Sequence, residues 1–270
     1  MAFDLNSIST GCGQRPPRIV VLGTPFIGKS EFAAGADRSI FLPIRGEEGI
    51  DCINVPQFPT CNELQDVLDC FTTLYGSDKF GTVVIDSAST LEPLIWQSAC
   101  ARCPHKSGAF PKSIEELGGG FQRGYVESLT EWRIITDALD TLRAEKNMAS
   151  IIIGHVKVKR FDDPCGKSYD QWQFDLHEKA ANLLYKWCDI VLFCGKKTAV
   201  TAEDVGFNKE VKKGIDTSGG MRYIYTQDRP SHPGGGRGVY GRLPYEIPLS
   251  WTAFQDAVAL QLAKEAAEVS

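Results

Sequence analysis

Residues 23–30 read GTPFIGKS and follow directly on the apolar run Arg18–Leu22 (RIVVL). A short buried strand ending on a glycine, then a tight loop, then Gly-Lys-Ser opening a helix leaves few folds open to a chain. The spacing G-x-x-x-x-G-K-[ST] builds a loop whose backbone amides turn inward around phosphate oxygens. Gly23 and Gly28 stand where that turn requires them, and Thr24, Pro25, Phe26 and Ile27 fill the loop.

The same motif predicts its ligands. Lys29 would reach the β- and γ-phosphates of ATP, the Ser30 hydroxyl would ligate Mg²⁺, and Glu31 continues the helix, whose N-terminal dipole adds to the anion site. Gly23–Glu31 is therefore the cofactor-binding set for Mg-ATP. Thr82–Asp86 (TVVID) is the partner feature: apolar until its last residue, it would deliver Asp86 to the crevice beside the loop as a second Mg²⁺ group. Glu47 and Glu48, in RGEEG after the run Ser39–Ile44, would come to the same edge. Either could orient or deprotonate the attacking water, and the sequence does not choose between them. His155 ends the SIII run (150–153) and its glycine, where it could sense the γ-phosphate by hydrogen bonding.

Strand-like apolar runs alternate along the chain with helical spacing. Leu64, Val67, Leu68 and Phe71 mark one helix. Another runs through Ile95 and Trp96 after the third strand, and Tyr125–Lys146 is the longest such pattern. Asp175–Trp187 reads as a helix, Asp189–Phe193 as a strand, and Ser250 as the N-cap of a last helix bearing Trp251, Phe254, Val258 and Leu262. Unbroken apolar strands between helices imply an α/β fold with a mainly parallel central sheet and helices on both faces. One domain is expected: an arm over 1–16, a core over 17–230, and a short C-terminal β/α extension over 231–270 that packs on the core and ends in a helix.

Composition removes some alternatives. At 270 residues, 43% hydrophobic and 23% charged, the chain is of ordinary globular make-up, and its net charge of −5 excludes a basic coat over the whole surface. No apolar run suits a membrane span and no signal peptide is evident, so no membrane partner is expected. Nine cysteines without a paired framework point to a reducing cytoplasm.

The order of features resembles a known group. Phosphate loop, acidic-glycine turn, TVVIDS, long helix, IIIGH, CDIVLF and a late QDR resemble the RecA-like phage nucleotide-binding proteins, above all the single-strand annealing and recombination proteins of the Sak group. The resemblance covers about residues 17–230 and implies a RecA-like P-loop ATPase fold. Glu47 or Glu48 would match the catalytic glutamate, Asp86 the second nucleotide motif, and His155 the polar sensor before a DNA-contacting loop. Gln227, Asp228 and Arg229 resemble the Lys-x-Arg element that such proteins insert into a neighbour's ATP site, with Arg229 alone carrying the charge. The resemblance further implies single-stranded DNA as partner, a homo-oligomer (ring or filament) with ATP at the subunit interface, and a single-strand DNA-binding protein as accessory partner. Phe3, Leu5 and Ile8 on the arm would dock on a neighbouring protomer or remain an untethered tail.

The DNA reading has its own basis in the residues. Lys157, Lys159, Arg160 and Lys167 interleave with Phe161, Tyr169, Trp172 and Phe174 over 156–174, a loop-like stretch. Cations track a phosphate backbone and aromatic faces stack on bases, at about 1–3 kcal/mol per base. The bland alternative is an active-site lid. A second candidate is 100–120, with Arg102, His105, Lys106 and Lys112. Cys100, Cys103 and His105 invite a zinc reading but lack a fourth ligand that spacing would supply, with Cys165 or Cys188 unassigned. The Gly118–Gly120 and Gly234–Gly236 triplets read as turns. A hexameric helicase or packaging motor, a small-molecule kinase and a non-hydrolysing ATP switch share the phosphate loop, and fold alone does not choose between them.

Overall fold

The computed structural model describes residues 15–47, 49–104, 108–163, 166–204 and 210–269. Glu48, His105, Lys106, Cys165 and nearly all of the 1–16 arm, with Phe3, Leu5 and Ile8, lie outside them.

Five strands run parallel: β1 (Arg18–Gly23), β2 (Ser39–Pro43), β3 (Thr82–Asp86), β4 (Ala149–Gly154) and, after a hairpin of β5 (Val156–Phe161) and β6 (Tyr169–Phe174), β7 (Ile190–Gly195). A second hairpin, β8 (Thr198–Asp204) and β9 (Glu210–Asp216), precedes β10 (Tyr223–Tyr225), β11 (Gly235–Gly236) and β12 (Glu246–Pro248). The central sheet has the order β12-β10-β7-β1-β4-β3-β2, with β11 beside β7. β10, β11 and β12 join it antiparallel.

The helices are α1 (Lys29–Ala34), α2 (Leu64–Tyr75), α3 (Ala88–Arg102), α4 (Arg123–Glu127), α5 (Leu129–Lys146), α6 (Glu178–Trp187) and α7 (Trp251–Val269). Alternate residues of one strand enter opposite cores, as the pleat demands. Val20 and Leu22 of β1 pack with α2, α3, α5 and α6, whereas Ile19 and Val21 pack with Phe32 of α1 and Phe254 of α7. That double burial is why the strands read as unbroken apolar runs. The α/β fold with a mostly parallel sheet and helices on both faces is thus the one expected.

Several details differ from the sequence reading. The 156–174 stretch is a hairpin rather than a loop. Tyr125–Lys146 divides at Ser128, whose hydroxyl donates to Tyr125 O at 3.1 Å, and the longest helix is α7, at 19 residues. Gly235 and Gly236 pair with Val191 and Ile190 as a short strand instead of forming a free turn. The segment after residue 230 supplies β11, β12 and α7 to the same sheet and core. Arg18, Arg143 and Asp189 tie the lower edge: Asp189 carboxylate oxygens accept from Arg18 Nη2 and Arg143 Nη2, both at 2.9 Å. Among the described residues no helix is long and apolar enough to cross a membrane.

Candidate functional site

β1 lies between β4 and β7, and the chain leaves its C-terminal end through the loop Thr24–Gly28. Gly28 has φ 104°, a left-handed value that glycine takes without strain, and this lets the loop close onto α1. Phe26 also adopts positive φ, and its ring is fully exposed at the loop tip. α1 is six residues long, so the loop amides and Lys29 are the main anion-binding groups, with less from a helix field than the motif alone suggests.

Lys29 is 6% exposed, and its Nζ donates to the carbonyls of Gly23 at 3.1 Å and Thr24 at 3.0 Å. Burial lowers its pKa, against the upward pull of Cys194, Asp86 and Glu47. A buried ammonium held by neutral carbonyls is a cation prepared for an anion. The Ser30 hydroxyl donates to Asp86 Oδ2 at 2.7 Å across the intervening β4. Asp86 is 3% exposed; burial pushes its pKa up, the Ser30 bond draws it down, and the charge of Glu47 raises it further. The Asp86–Ser87 peptide is cis.

Glu47 faces this pair. Its Oε2 accepts from Ser87 Oγ at 2.8 Å, and His155 Nε2 lies 3.1 Å from both carboxylate oxygens. Nε2 therefore carries a proton, while Nδ1 is buried without a partner among the described residues. Burial would raise the Glu47 pKa, but the His155 and Ser87 hydrogen bonds and the nearby charges outweigh it and hold the carboxyl below its ordinary range. Ser89 Oγ accepts from the His155 amide at 3.1 Å, which fixes the turn between β4 and β5 to the start of α3. The glycine before His155 is needed there: a Cβ on Gly154 would fall 2.2 Å from the Phe174 ring.

Lys29, Ser30, Glu47, Asp86 and His155 thus form one constellation beside the loop of residues 23–28, while Arg229 and the predicted hairpin residues stand apart from it. Arg229 lies in the turn after β10, its guanidinium 4.1 Å above the Tyr245 ring. The antiparallel direction of β10 carries that turn away from the chain's own phosphate loop. The hairpin divides its predicted residues between two faces. Lys157 opposes Gln173, Lys159 opposes Gln171 and Phe161 opposes Tyr169, so these share a face, whereas Arg160 and Trp172 point the other way. Trp172 packs toward the core and Phe174 belongs to it. Lys157 pairs with Asp175 at 3.1 Å, Lys159 approaches Glu178 at 3.9 Å, and Lys167 is exposed between the strands. A cavity of about 510 Å³ between this face and α6 is lined by Lys157, Lys159, Gln171, Gln173 and Asn182.

In the 100–120 segment Arg102 is committed, its Nε donating to buried Glu131 at 2.6 Å. Cys100 and Cys103 are free thiols, and among the described residues no group of three or more His, Cys, Asp or Glu side chains is placed to hold a metal ion. One residue at the phosphate loop has no counterpart in the sequence reading: Arg222, just before β10. Its Nη1 donates to Ile27 O at 3.2 Å and to Glu31 Oε2 at 3.0 Å. No local signal marks it, because 195 positions separate it from Ile27.

The described groups fit a magnesium nucleotide: a cradle that a side chain at Gly28 would obstruct, a buried ammonium on two carbonyls, and a hydroxyl–carboxylate pair of hard oxygens. The chain matches the AAA domain family over residues 15–238. No curated protein matches it.

Proposed function

The chain belongs to the AAA domain family, and on that premise we propose that it is a Mg²⁺-dependent ATPase of the RecA-like phage recombination type, which binds single-stranded DNA and promotes annealing or homologous recombination. The observation that carries the reading is the Glu47–His155 contact. His155 bonds the proposed water-activating carboxylate at 3.1 Å and is also the residue immediately before the basic hairpin. One side chain thereby joins the hydrolytic groups to the DNA candidate.

In this reading Lys29 neutralises the β- and γ-phosphates, and Ser30 and Asp86 hold Mg²⁺. The metal supplies charge neutralisation on the phosphate oxygens. Glu47, kept ionised by Ser87 and His155, orients a water and accepts its proton as the water oxygen bonds to the γ-phosphorus and ADP leaves. Lys157, Lys159, Phe161 and Tyr169 form the strand-binding face. Arg229 serves a neighbouring protomer in a homo-oligomer with ATP at the interface, and a single-strand DNA-binding protein is an accessory partner. The test is ATP hydrolysis with and without single-stranded DNA, beside Lys29→Ala.

A second reading, an ATP-dependent switch without turnover, draws on the Gln227–Arg229 turn. Gln227 replaces the lysine of the resembling element and donates to Leu243 O at 3.2 Å, while Arg229 is stacked on Tyr245. Nucleotide binding without hydrolysis in the presence of DNA would favour it.

A further inference from the structure

We infer that Arg222 and Glu31 form the nucleoside end of the nucleotide site, with the Arg222 guanidinium taking the α-phosphate and Glu31 competing for it; this rests on the ATP-binding reading above. The sheet order supplies the direction. Ser30–Asp86 and Glu47–His155 lie on the β4 and β3 side of β1. Ser30 and Asp86, which would hold Mg²⁺, and Glu47, which would face the attacking water, put the terminal-phosphate end of the site on that side. The α-phosphate and nucleoside must then extend across the loop toward β7 and β10.

Arg222 stands there. The antiparallel rung Tyr223↔Gly195 brings it to the phosphate-loop edge, next to the rung Gly23↔Cys194 that ends β1. Its Nη1 would lie 2.5 Å from a Cβ on Gly28, and it is held by Ile27 O and Glu31 Oε2. With side-chain exposures of 41% and 61%, the Arg222–Glu31 pair is a surface ion pair, a weak bond that a phosphate can displace at little cost. A guanidinium–phosphate contact is the stronger, charge-assisted bond.

Calorimetric binding of ATP and of ADP, each with Mg²⁺, tests the inference on purified wild type, Arg222→Ala, Arg222→Lys and Glu31→Gln. Both nucleotides carry an α-phosphate, so Arg222→Ala should weaken ATP and ADP alike, by about tenfold. Arg222→Lys should recover part of that loss, and Glu31→Gln should tighten both nucleotides. Weakening of ATP alone would place Arg222 on the terminal phosphate and overturn the assignment. Unchanged affinity for both would reduce Arg222 to a structural ion pair, and looser binding in Glu31→Gln would rule out competition. Failure of the wild type itself to bind ATP, by contrast, would remove the ATPase reading and this inference with it.

Discussion

The Ser30 hydroxyl donates a 2.7 Å hydrogen bond to Asp86 Oδ2, although the two residues are 56 positions apart and β4 lies between β3, which ends on Asp86, and β1, which leads into the helix of Ser30. Burial raises the Asp86 pKa, so its carboxylate weakens the fold as pH rises through that value; the contribution is whole only below the ordinary range. Asp86→Asn keeps an acceptor for Ser30 and removes the charge. It should therefore leave the nucleotide-free melting temperature at pH 7.5 unchanged or higher, while Mg²⁺ ceases to improve ATP affinity. A melting temperature several degrees lower, with the magnesium effect intact, would separate Asp86 from the metal.

Lys29 makes the same kind of prediction with the opposite charge. Its ammonium is buried and bonded to two carbonyls. Lys29→Met should lower stability by no more than about 1 kcal/mol and abolish detectable ATP binding. Thermal melting with and without ATP reads both outcomes in one experiment. A ligand-induced rise that survived the substitution would contradict the role assigned to Lys29.

The phosphate loop and Asp86 are legible in the sequence because their chemistry fixes short spacings and a strand-end position. The contacts that hold Glu47 are not, since its partners, Ser87 and His155, lie 40 and 108 positions away. The hairpin is masked in the sequence although Lys157, Val158 and Lys159 alternate as a strand does. Its cations and aromatics suggest a loop, and the pleat divides them between two faces. Arg222 has no local mark, being positioned by the register of an antiparallel strand added at the sheet's far side.

Glu92 carries a pH prediction. It is 5% exposed on α3, and its carboxylate oxygens accept the His177 amide at 3.1 and 2.9 Å. Burial pushes its pKa up to about 7 in spite of that bond and the nearby Lys157. A carboxyl raised in the fold contributes fully below its ordinary pKa, and that contribution is lost as pH rises through about 7. Glu92→Gln, which retains an acceptor for His177, should match wild type at pH 4 and exceed it at pH 8, by on the order of 3 kcal/mol at most. Urea midpoints at the two pH values test this; an equal difference at both would contradict it.

The two faces of the hairpin predict unequal roles for equal charges. Lys157→Ala with Lys159→Ala should weaken single-strand binding and reduce the salt slope by about 1 for each phosphate that is no longer neutralised. Arg160→Ala, on the opposite face, should do distinctly less. Filter binding across a salt series distinguishes them. A larger effect from Arg160 would move the DNA path to the other face.

Coupling between nucleotide and DNA is tested by steady-state ATP hydrolysis of the purified chain, with and without single-stranded DNA, beside Lys29→Ala. The expected result is slow basal turnover that single strands raise, and loss of both activities in the variant. Turnover indifferent to DNA, together with no DNA binding, would contradict the link from Glu47 through His155 to the hairpin and leave a nucleotide enzyme of another kind.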